Sequence, residues 1–183
     1  MKKDCLLLNN KAALRGRLIQ RRRALSQERR AEAMQALIIH LTSFCRPFSH
    51  VLSFASLDEE INLWPFNEQL AREEKLLLPR VENVMLQIFQ VSQLNHLVPS
   101  KLNIKEPQAD SKPFKIEQIP CILVPGLGFD LECNRLGFGK GHYDRFLEKM
   151  PHALKVGIGF REQFVHSLPI EEHDKKLDHL LLF

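Results

Sequence analysis

The sequence CILVPGLGFD at residues 121–130 joins a buried strand to a glycine-containing loop, and this junction indicates the type of sheet. Residues 121–124 form an unbroken apolar run with β-branched members, and Pro125 ends the run. A run of this kind is typical of a central strand in a parallel sheet, where both faces are buried. We therefore expect the residues after Pro125 to lie at the carboxyl end of a central strand.

The segments around this stretch alternate between strand and helix patterns. The predicted strands cover residues 50–54, 75–78, 84–91 and 154–160, and the predicted helices cover residues 62–74 and 142–150. Residues 135–141 form a second glycine-rich loop, and residues 95–118 form a long polar connection. The alternation predicts an α/β fold with a mostly parallel sheet covered on both faces. In such sheets ligands bind beyond the carboxyl ends of the strands, where both loops are expected.

Two helices are predicted ahead of the first strand. Residues 11–25 place apolar side chains near helical spacing, with arginines on the other faces. Ser26 is positioned to cap a second helix, whose apolar stripe includes Leu37 and Leu41. A chain of 183 residues has the length of one domain, so we expect residues 1–183 to fold as a single unit.

Basic residues are concentrated near the start of the sequence. The formal net charge is +4, yet residues 1–30 contain ten Lys or Arg and only two acidic residues. Such a segment suits phosphate groups on a nucleotide, on the polyanionic tail of a small ligand, or on nucleic acid. Charge alone does not choose among these partners.

The cysteines and the hydropathy pattern bear on the cellular compartment. Cys5, Cys45, Cys121 and Cys133 form no CxxC pair and have no zinc-site or disulfide-framework spacing. The opening MKKDCLLLNN contains only three consecutive leucines, too few for a signal peptide. No stretch approaches the ~18 apolar residues of a membrane span. We therefore expect a cytoplasmic protein with reduced thiols and no membrane partner.

The loop RLGFGKG at residues 135–141 has the composition of a phosphate-binding loop. Gly137, Gly139 and Gly141 lack Cβ atoms, so backbone N–H groups can approach an anion, and Arg135 and Lys140 add positive charge. The helix predicted next adds about half a positive charge at its N-terminus. A plain strand-to-helix turn is the alternative. The loop is not a Walker A motif, because glycine follows the lysine.

Several carboxylates lie near these predicted loops. Asp144 is a candidate Mg²⁺ ligand, with a simple interaction with the helix dipole as the alternative. Asp174, taken alone, is more typical of solvated surface. Of the three adjacent acids at residues 58–60, only one is expected to face a ligand, because burying all three together is costly.

Read together, VPGLGFD at residues 124–130, NRLGFGKGHYDRFL at residues 134–147 and EEHDKKLD at residues 171–178 resemble the 5-formyltetrahydrofolate cyclo-ligase family, also called methenyltetrahydrofolate synthetase. The segments KAALRGRLIQRRRALS at residues 11–26, SLDEEI at residues 56–61 and IKEP at residues 104–107 follow the same family order. The resemblance covers nearly the whole chain, and the ordered set of motifs is highly specific.

The resemblance implies a three-layer α/β/α Rossmann-like domain and a defined reaction. In that reaction ATP and Mg²⁺ drive conversion of 5-formyltetrahydrofolate, with or without a polyglutamate tail, to 5,10-methenyltetrahydrofolate. The γ-phosphoryl group passes to the formyl oxygen, N10 closes the ring, and ADP and phosphate leave. Such chemistry needs positioning and charge neutralisation more than a protein nucleophile, and the sequence contains no GxSxG or HExxH motif. We expect a monomer that uses no nucleic-acid partner.

The resemblance also implies site residues by position. The residues expected to bind ATP are Lys11, Arg15, Arg135, Gly137, Phe138, Gly139, Lys140, Gly141, His142 and Tyr143. The residues expected to bind folate are Ala55, Glu60, Phe138, Gly139, Lys140, Gly141 and His142. The resemblance assigns catalytic roles to Arg135, Lys140 and Tyr143 and assigns Mg²⁺ to Asp144 and Asp174.

Three positions depart from the usual family pattern. His142 replaces the first of two tyrosines and brings an imidazole that titrates near neutral pH. Cys133 replaces the glycine that usually precedes the Asn-Arg-Leu-Gly run. The sequence given ends at Phe183 without a short Thr- or Glu-containing tail. These departures concern the rate and the pH profile more than the class of reaction.

Three alternative functions stay open on the sequence. A nucleic-acid-binding protein would use the N-terminal arginines and show affinity that falls steeply with salt. A sugar-phosphate isomerase or acyl-transfer enzyme on a similar sheet would need no ATP. A catalytically altered homologue would bind folate and ATP without turnover, and His142 is the reason to retain that alternative.

Overall fold

Ten strands and four helices make up the computed structural model, which describes residues 10–100, 104–108 and 112–183. The strands are β1 (Val51–Leu52), β2 (Leu76–Glu82), β3 (Met85–Gln90), β4 (Val98–Pro99), β5 (Lys105–Glu106), β6 (Cys121–Pro125), β7 (Gly128–Phe129), β8 (Arg135–Leu136), β9 (Leu154–Gly159) and β10 (His179–Leu182). The helices are α1 (Lys11–Arg23), α2 (Gln27–Phe44), α3 (Trp64–Arg72) and α4 (His142–Glu148). The predicted alternation of strands and helices is confirmed.

A six-stranded sheet forms the centre, in the order β10-β9-β6-β1-β2-β3. Every neighbouring pair is parallel except β2 and β3, which form an antiparallel hairpin. Residues 121–125 lie in the third strand from the β10 edge, so the apolar run quoted at the outset is central, as predicted. The mostly parallel sheet is confirmed.

Helices cover both faces of this sheet. Alternate residues of β6 lie in two separate cores, each of which contains side chains from different helices. Cys121 and Leu123 belong to the core that contains apolar side chains of α2 and α3. Ile122 and Val124 belong to the core that contains Phe146 and Leu147 of α4. Successive strand residues point to opposite faces, which explains the division. The three-layer α/β/α architecture is therefore confirmed.

The N-terminal helical pair is also as predicted. The Asn10 side chain accepts hydrogen bonds from the backbone N–H groups of Ala12 and Ala13, which starts α1. Ser26 Oγ accepts from the Arg29 N–H at 3.1 Å and caps α2, so the cap inferred from the sequence is confirmed. Leu14 and Leu18 of α1 pack with Leu136 of β8 in a third, smaller core. This packing sets α1 beside the glycine-rich loop.

Some element boundaries differ from the predictions. Strand β2 continues past Pro79 to Glu82 instead of stopping there. The reason is that β1 pairs only with Leu76 and Leu77, so beyond them β2 has β3 as its one hydrogen-bonded neighbour in the sheet, and a missing N–H is tolerated. The predicted strand at residues 50–54 is reduced to Val51–Leu52. The predicted connection at residues 95–118 contains the small β4–β5 hairpin.

The loop at residues 135–141 was also predicted to be loop throughout, and its first two residues are strand. Arg135 and Leu136 pair with Phe129 and Gly128 in the β7–β8 hairpin. The sequence signal was glycine content, which does not reveal that this short segment has an antiparallel partner six to eight residues upstream. The hairpin matters for the site, because it fixes the backbone immediately before the glycines.

Candidate active site

A cavity of ≈ 450 Å³ opens at the carboxyl ends of the parallel strands. Ala55 follows β1, Pro79 lies within β2, and Pro125 ends β6, and all three line the cavity. The position beyond the strand ends was predicted from the sheet type. The structure therefore places a cavity where the sequence indicated a ligand.

All residues named from the sequence as site candidates line this one cavity. They are Lys11, Arg15, Ala55, Glu60, Arg135, Gly137, Phe138, Gly139, Lys140, Gly141, His142, Tyr143, Asp144 and Asp174. Their individual roles in binding or catalysis remain predictions. Of the three adjacent acids at residues 58–60, only Glu60 lines the cavity, while Asp58 is exposed and Glu59 forms ion pairs with Arg22 and Arg23.

Most of the lining residues fall into two sets. The cationic set consists of basic residues, glycines and the acids paired with the basic residues: Lys11, Arg15, Arg135, Gly137, Gly139, Lys140, Gly141, Asp144, Glu171, His173 and Asp174. The apolar set consists of hydrophobic residues and two glutamates: Phe54, Ala55, Leu57, Glu60, Pro79, Val81, Leu86, Ile104 and Glu106. A ligand that fits both sets combines an anionic part with a largely apolar part.

The glycine-rich loop owes its shape to two left-handed residues. Gly139 has φ 95° and Gly141 has φ 64°, backbone conformations that residues other than glycine rarely adopt. A Cβ atom at Gly139 would lie 3.3 Å from Cζ of Arg15. Arg15 Nε donates a hydrogen bond to the Gly137 carbonyl at 2.8 Å. The loop and α1 are therefore held in direct contact.

Arg135 is almost completely buried beneath this loop. Its Nη2 donates to Asp144 Oδ1 at 2.8 Å, and its Nη1 donates to the Pro125 carbonyl at 3.3 Å. Gly137 favours this arrangement, because a Cβ there would lie 2.7 Å from Arg135 Nη1 and the guanidinium would have to shift. Arg135 thus joins the end of the central strand to the first turn of α4.

Lys11 forms ion pairs with two acids of the cationic set. Its Nζ lies 2.6 Å from Asp174 Oδ2 and 2.7 Å from Glu171 Oε2. Burial alone would lower the pKa of Lys11, but the hydrogen bonds and charges of Asp174 and Glu171 outweigh burial and raise it. Burial tends to raise the pKa of Asp174, yet the Lys11 ammonium and the Glu171 N–H hold that pKa below its ordinary value. Lys11 and Asp174 are therefore both charged near neutral pH.

One of the two Mg²⁺ ligands implied by the resemblance, Asp174, lies in a cluster of groups that could hold a divalent ion. Glu171, His173 and Asp174 have ligand atoms within 4.8 Å of one another. Asp144 is outside that group and is paired with Arg135. Carboxylate oxygens next to a phosphate site fit Mg²⁺, which takes one or two carboxylates and leaves its other positions to water and phosphate. Glu171 and His173 were not named from the sequence, although they stand beside Asp174 in EEHDKKLD.

The two glutamates of the apolar set are partly or fully removed from water. Glu60 Oε2 accepts a hydrogen bond from the Leu57 N–H at 3.0 Å. Burial raises the pKa of Glu60, although the Leu57 N–H and the Arg22 charge oppose it. Burial also raises the pKa of Glu106, against the Val81 N–H and the Arg80 charge. No site role was assigned to Glu106 from the sequence, and the only signal was its place in the IKEP motif.

The residues that follow the glycines have distinct surroundings. Burial is the main reason that the pKa of Tyr143 lies well above its ordinary value, so its phenol stays neutral. The His142 ring Nδ1 lies 3.1 Å from the Val84 carbonyl, at the tip of the β2–β3 hairpin. Arg145 donates to the same carbonyl at 2.9 Å and to the Lys140 carbonyl at 2.9 Å. The imidazole in place of tyrosine is thus accommodated by a hydrogen-bonded contact with that hairpin.

Cys133 occupies a turn that favours glycine. Its φ is 60°, in the left-handed region, and the turn is organised by the buried Asp130. The Asp130 carboxylate accepts hydrogen bonds from the N–H groups of Glu132, Asn134 and Leu168 at 2.9 to 3.0 Å. The glycine usual in the family has a physical reason here, and the turn forms with cysteine in its place.

Several arginines of the first two helices are used within the fold. Arg29 binds Glu162 through Nε at 2.7 Å, and Arg23 binds Glu59 at 2.6 Å. Such pairing leaves fewer of these cations for a nucleic-acid backbone. Among the residues that the structure describes, no helix is long and apolar enough to cross a membrane.

Known proteins resemble this chain over nearly its whole length. Residues 8–182 match the model of the 5-formyltetrahydrofolate cyclo-ligase family. The 5-formyltetrahydrofolate cyclo-ligase of Mus musculus is 29% identical over 189 residues, covering 93% of this chain and 92% of the relative. The enzyme of the same name from Escherichia coli (strain K12) is 32% identical over 168 residues, covering 85% and 90%.

A solved structure shows the same likeness. The NMR structure of 5,10-methenyltetrahydrofolate synthetase from Aquifex aeolicus matches with a TM-score of 0.83 and 32% identity. The match covers 93% of this chain and 88% of that chain. The likeness therefore extends beyond the motifs of the cavity to the sheet and helices that support it.

Proposed function

The chain belongs to the 5-formyltetrahydrofolate cyclo-ligase family, and from this premise we propose that it converts 5-formyltetrahydrofolate to 5,10-methenyltetrahydrofolate with ATP and Mg²⁺. ADP and phosphate are the other products. The observation that carries the proposal is the double character of one cavity, whose cationic set suits a polyphosphate and whose apolar set suits a pterin ring. A sugar-phosphate isomerase would have no use for the second set.

The proposed chemistry begins with phosphoryl transfer. The formyl oxygen attacks the γ-phosphorus of ATP, ADP leaves, N10 then attacks the formyl carbon, and phosphate leaves as N10 loses its proton. Lys11, Arg15 and Lys140 bind the phosphate oxygens and offset the charge that develops on them. The glycines allow backbone N–H groups to reach the same oxygens. Arg135 keeps this loop in place through the Pro125 carbonyl and Asp144.

Tyr143 has a role that follows from its protonation state. Its phenol is neutral, so it can donate a hydrogen bond to the transferring group without adding charge. Phe138 and His142 lie between the folate and the nucleotide, and the half-exposed Phe138 ring helps to exclude water from the reacting atoms.

Asp174 and Glu171 are the proposed carboxylates for Mg²⁺, and Asp144 contributes from α4. When bound, the ion neutralises phosphate charge and orients the γ-phosphoryl group. Lys11 now pairs with Asp174 and Glu171, so binding of nucleotide and metal redistributes three charges that already lie in contact. The cavity thus holds acids and bases that balance one another before the substrates arrive.

The apolar set is proposed to bind the folate. A reduced pterin presents several N–H donors, and ionised carboxylates are acceptors only, so Glu60 and Glu106 are suited to them. Ala55 leaves room beside Glu60 for a flat ring. A monomer with one domain over residues 1–183 also belongs to the proposal. A cytoplasmic location and the absence of a nucleic-acid partner remain part of the proposal.

The decisive test is an assay of the purified protein with 5-formyltetrahydrofolate. We expect the absorbance of 5,10-methenyltetrahydrofolate to rise only when ATP and Mg²⁺ are both present. Matched reactions without ATP, without Mg²⁺, or with a non-hydrolysable ATP analogue serve as controls. Folded protein that binds ATP and folate without producing absorbance would support the catalytically altered homologue instead.

A further inference from the structure

Arg22 is one of the two most deeply buried charged residues in the described part of the chain, and the proposed chemistry does not use it. Its side chain is only 2% exposed. Within the described residues, Nε and Nη1 have no hydrogen-bond partner. A buried guanidinium normally satisfies its five donors, because leaving them unpaired is costly. The position of Arg22 therefore calls for a role that offsets this cost.

The helix that carries Arg22 also carries two phosphate-site residues. Lys11, Arg15 and Arg22 are four and seven residues apart, a spacing that keeps them on one side of α1. Lys11 and Arg15 line the cavity. Arg22 lies seven residues beyond Arg15 on α1, next to the loop that follows β1. One rigid helix thus connects the cationic set to the surroundings of Glu60.

Arg22 contacts two acids of that loop. Nη2 lies 3.4 Å from Glu59 Oε2, and Nη1 lies 3.8 Å from Glu60 Oε1. Because the other Glu60 oxygen accepts the Leu57 N–H, Arg22 faces the oxygen that is free for a ligand. Arg30 donates to the Glu59 carbonyl at 3.2 Å and to the Arg22 carbonyl at 2.6 Å, and so fixes the loop relative to α1.

Arg22 also reaches the glycine-rich loop. Its guanidinium carbon lies 5.7 Å from the centre of the Phe138 ring, within the range of a cation–π interaction. One side chain therefore contacts both the candidate pterin acceptor and the loop between the glycines.

We infer that Arg22 is a positioning residue that orients the Glu60 carboxylate toward the folate and ties it to Phe138 of the glycine-rich loop. The inference rests on the proposed function, because it gives Glu60 the task of binding the pterin. It goes further in assigning a task to an arginine outside the cavity.

The charges around Glu60 give this inference a pH signature. Burial and the neighbouring Glu59 raise the pKa of Glu60, while the Leu57 N–H and Arg22 lower it. Tyr143, from α4, is neutral and feels the Glu60 charge. Removing Arg22 therefore raises the pKa of Glu60 further, so the carboxyl becomes protonated at a higher pH. A protonated carboxyl loses acceptor capacity. As the pH is lowered, folate binding by the variant should therefore begin to weaken at a higher pH than folate binding by the parent.

The experiment compares Arg22→Met, Arg22→Lys and Glu60→Gln in the full chain, with Arg17→Met as the matched control on the exposed side of α1. We expect Arg22→Met to raise the folate KM about tenfold at neutral pH. We also expect the acid limb of the pH profile of the folate KM to move upward by about one pH unit. We expect the ATP KM to change less than about twofold. Lysine keeps the charge without the planar fork, so Arg22→Lys should fall between Arg22→Met and the parent.

A double variant makes the test specific. In a Glu60→Gln background, Arg22→Met should add less than about twofold to the folate KM, because its effect acts through Glu60. A full additional effect in that background, or kinetics like those of Arg17→Met, would overturn the inference. If Arg22→Met does not fold, Arg22→Lys decides by the same cycle. Absence of ATP-dependent product from the parent chain would instead refute the proposed function.

Discussion

The two sets of residues that line the cavity are built in opposite ways. The cationic set is polar, and several of its charges are paired with one another, as in Lys11 with Asp174 and Arg135 with Asp144. The apolar set comes from the strand ends and keeps its two glutamates in surroundings that raise their pKa. The first set is ready to exchange protein ion pairs for phosphate. The second waits for hydrogen-bond donors, so the two should respond differently to substitution.

The largest effect is expected from the exposed cation of the loop. Lys140→Ala removes charge that offsets the phosphate in the transition state, and turnover should fall by about one to three orders of magnitude. Lys140 is exposed, so the melting temperature should be unchanged. Steady-state kinetics and a thermal melt provide the measurement, with Lys149→Ala as a control on the exposed end of α4. An unchanged turnover number would show that Lys140 has no catalytic role.

A smaller effect is expected from the backbone of the loop. Gly139→Ala adds a Cβ 3.3 Å from the Arg15 guanidinium at φ 95°, which costs roughly 1–2 kcal/mol in strain. The ATP KM should rise about tenfold, because Arg15 and the loop must move apart, while the folate KM changes less.

Gly16→Ala is the matched control for this change. A Cβ added at Gly16 on α1 would meet no atom within 4 Å. Because alanine is the better helix former, Gly16→Ala should stabilise the protein by about 0.5–1 kcal/mol without changing the ATP KM. Equal kinetic effects of the two substitutions would show that the left-handed loop is not what binds the nucleotide.

The smallest effect is expected from the second glutamate of the apolar set. Glu106→Gln retains an acceptor but removes the charge, so the folate KM should rise about threefold and the ATP KM should not change. Exposed Glu117→Gln is the control. A shift in the ATP KM alone would assign Glu106 to the cationic set.

The same substitution has a pH-dependent effect on stability. The folded pKa of Glu106 is raised, so its contribution to stability is present below the ordinary glutamate pKa and is lost as pH rises through the folded value. Glu106→Gln does not suffer this loss. Its melting temperature should therefore exceed that of the parent at neutral pH, with the difference disappearing in acid. Melts at a series of pH values would check the sign.

The sequence predicted the sheet and most of the cationic set, because their signals are contiguous. An apolar run marks β6, and the loop carries its glycines and cations within seven residues. The continuation of β2 past Pro79 was missed, because it depends on how short the neighbouring β1 is. Cavity roles for Glu106 and Glu171 were missed for a related reason, since only the fold brings single carboxylates from distant segments to one surface. The task of Arg22 is hidden by six other arginines within nine residues on either side.

The left-handed turn at Cys133 bears on how such a chain can change over generations. Replacing this cysteine by glycine would relieve roughly 1 kcal/mol of backbone strain but would give the unfolded chain a similar amount of additional conformational entropy. The two terms nearly cancel, so selection on stability exerts little pressure at this position. Exchange between glycine and cysteine there can then occur by neutral drift, provided that the Asp130 carboxylate continues to accept the surrounding N–H groups.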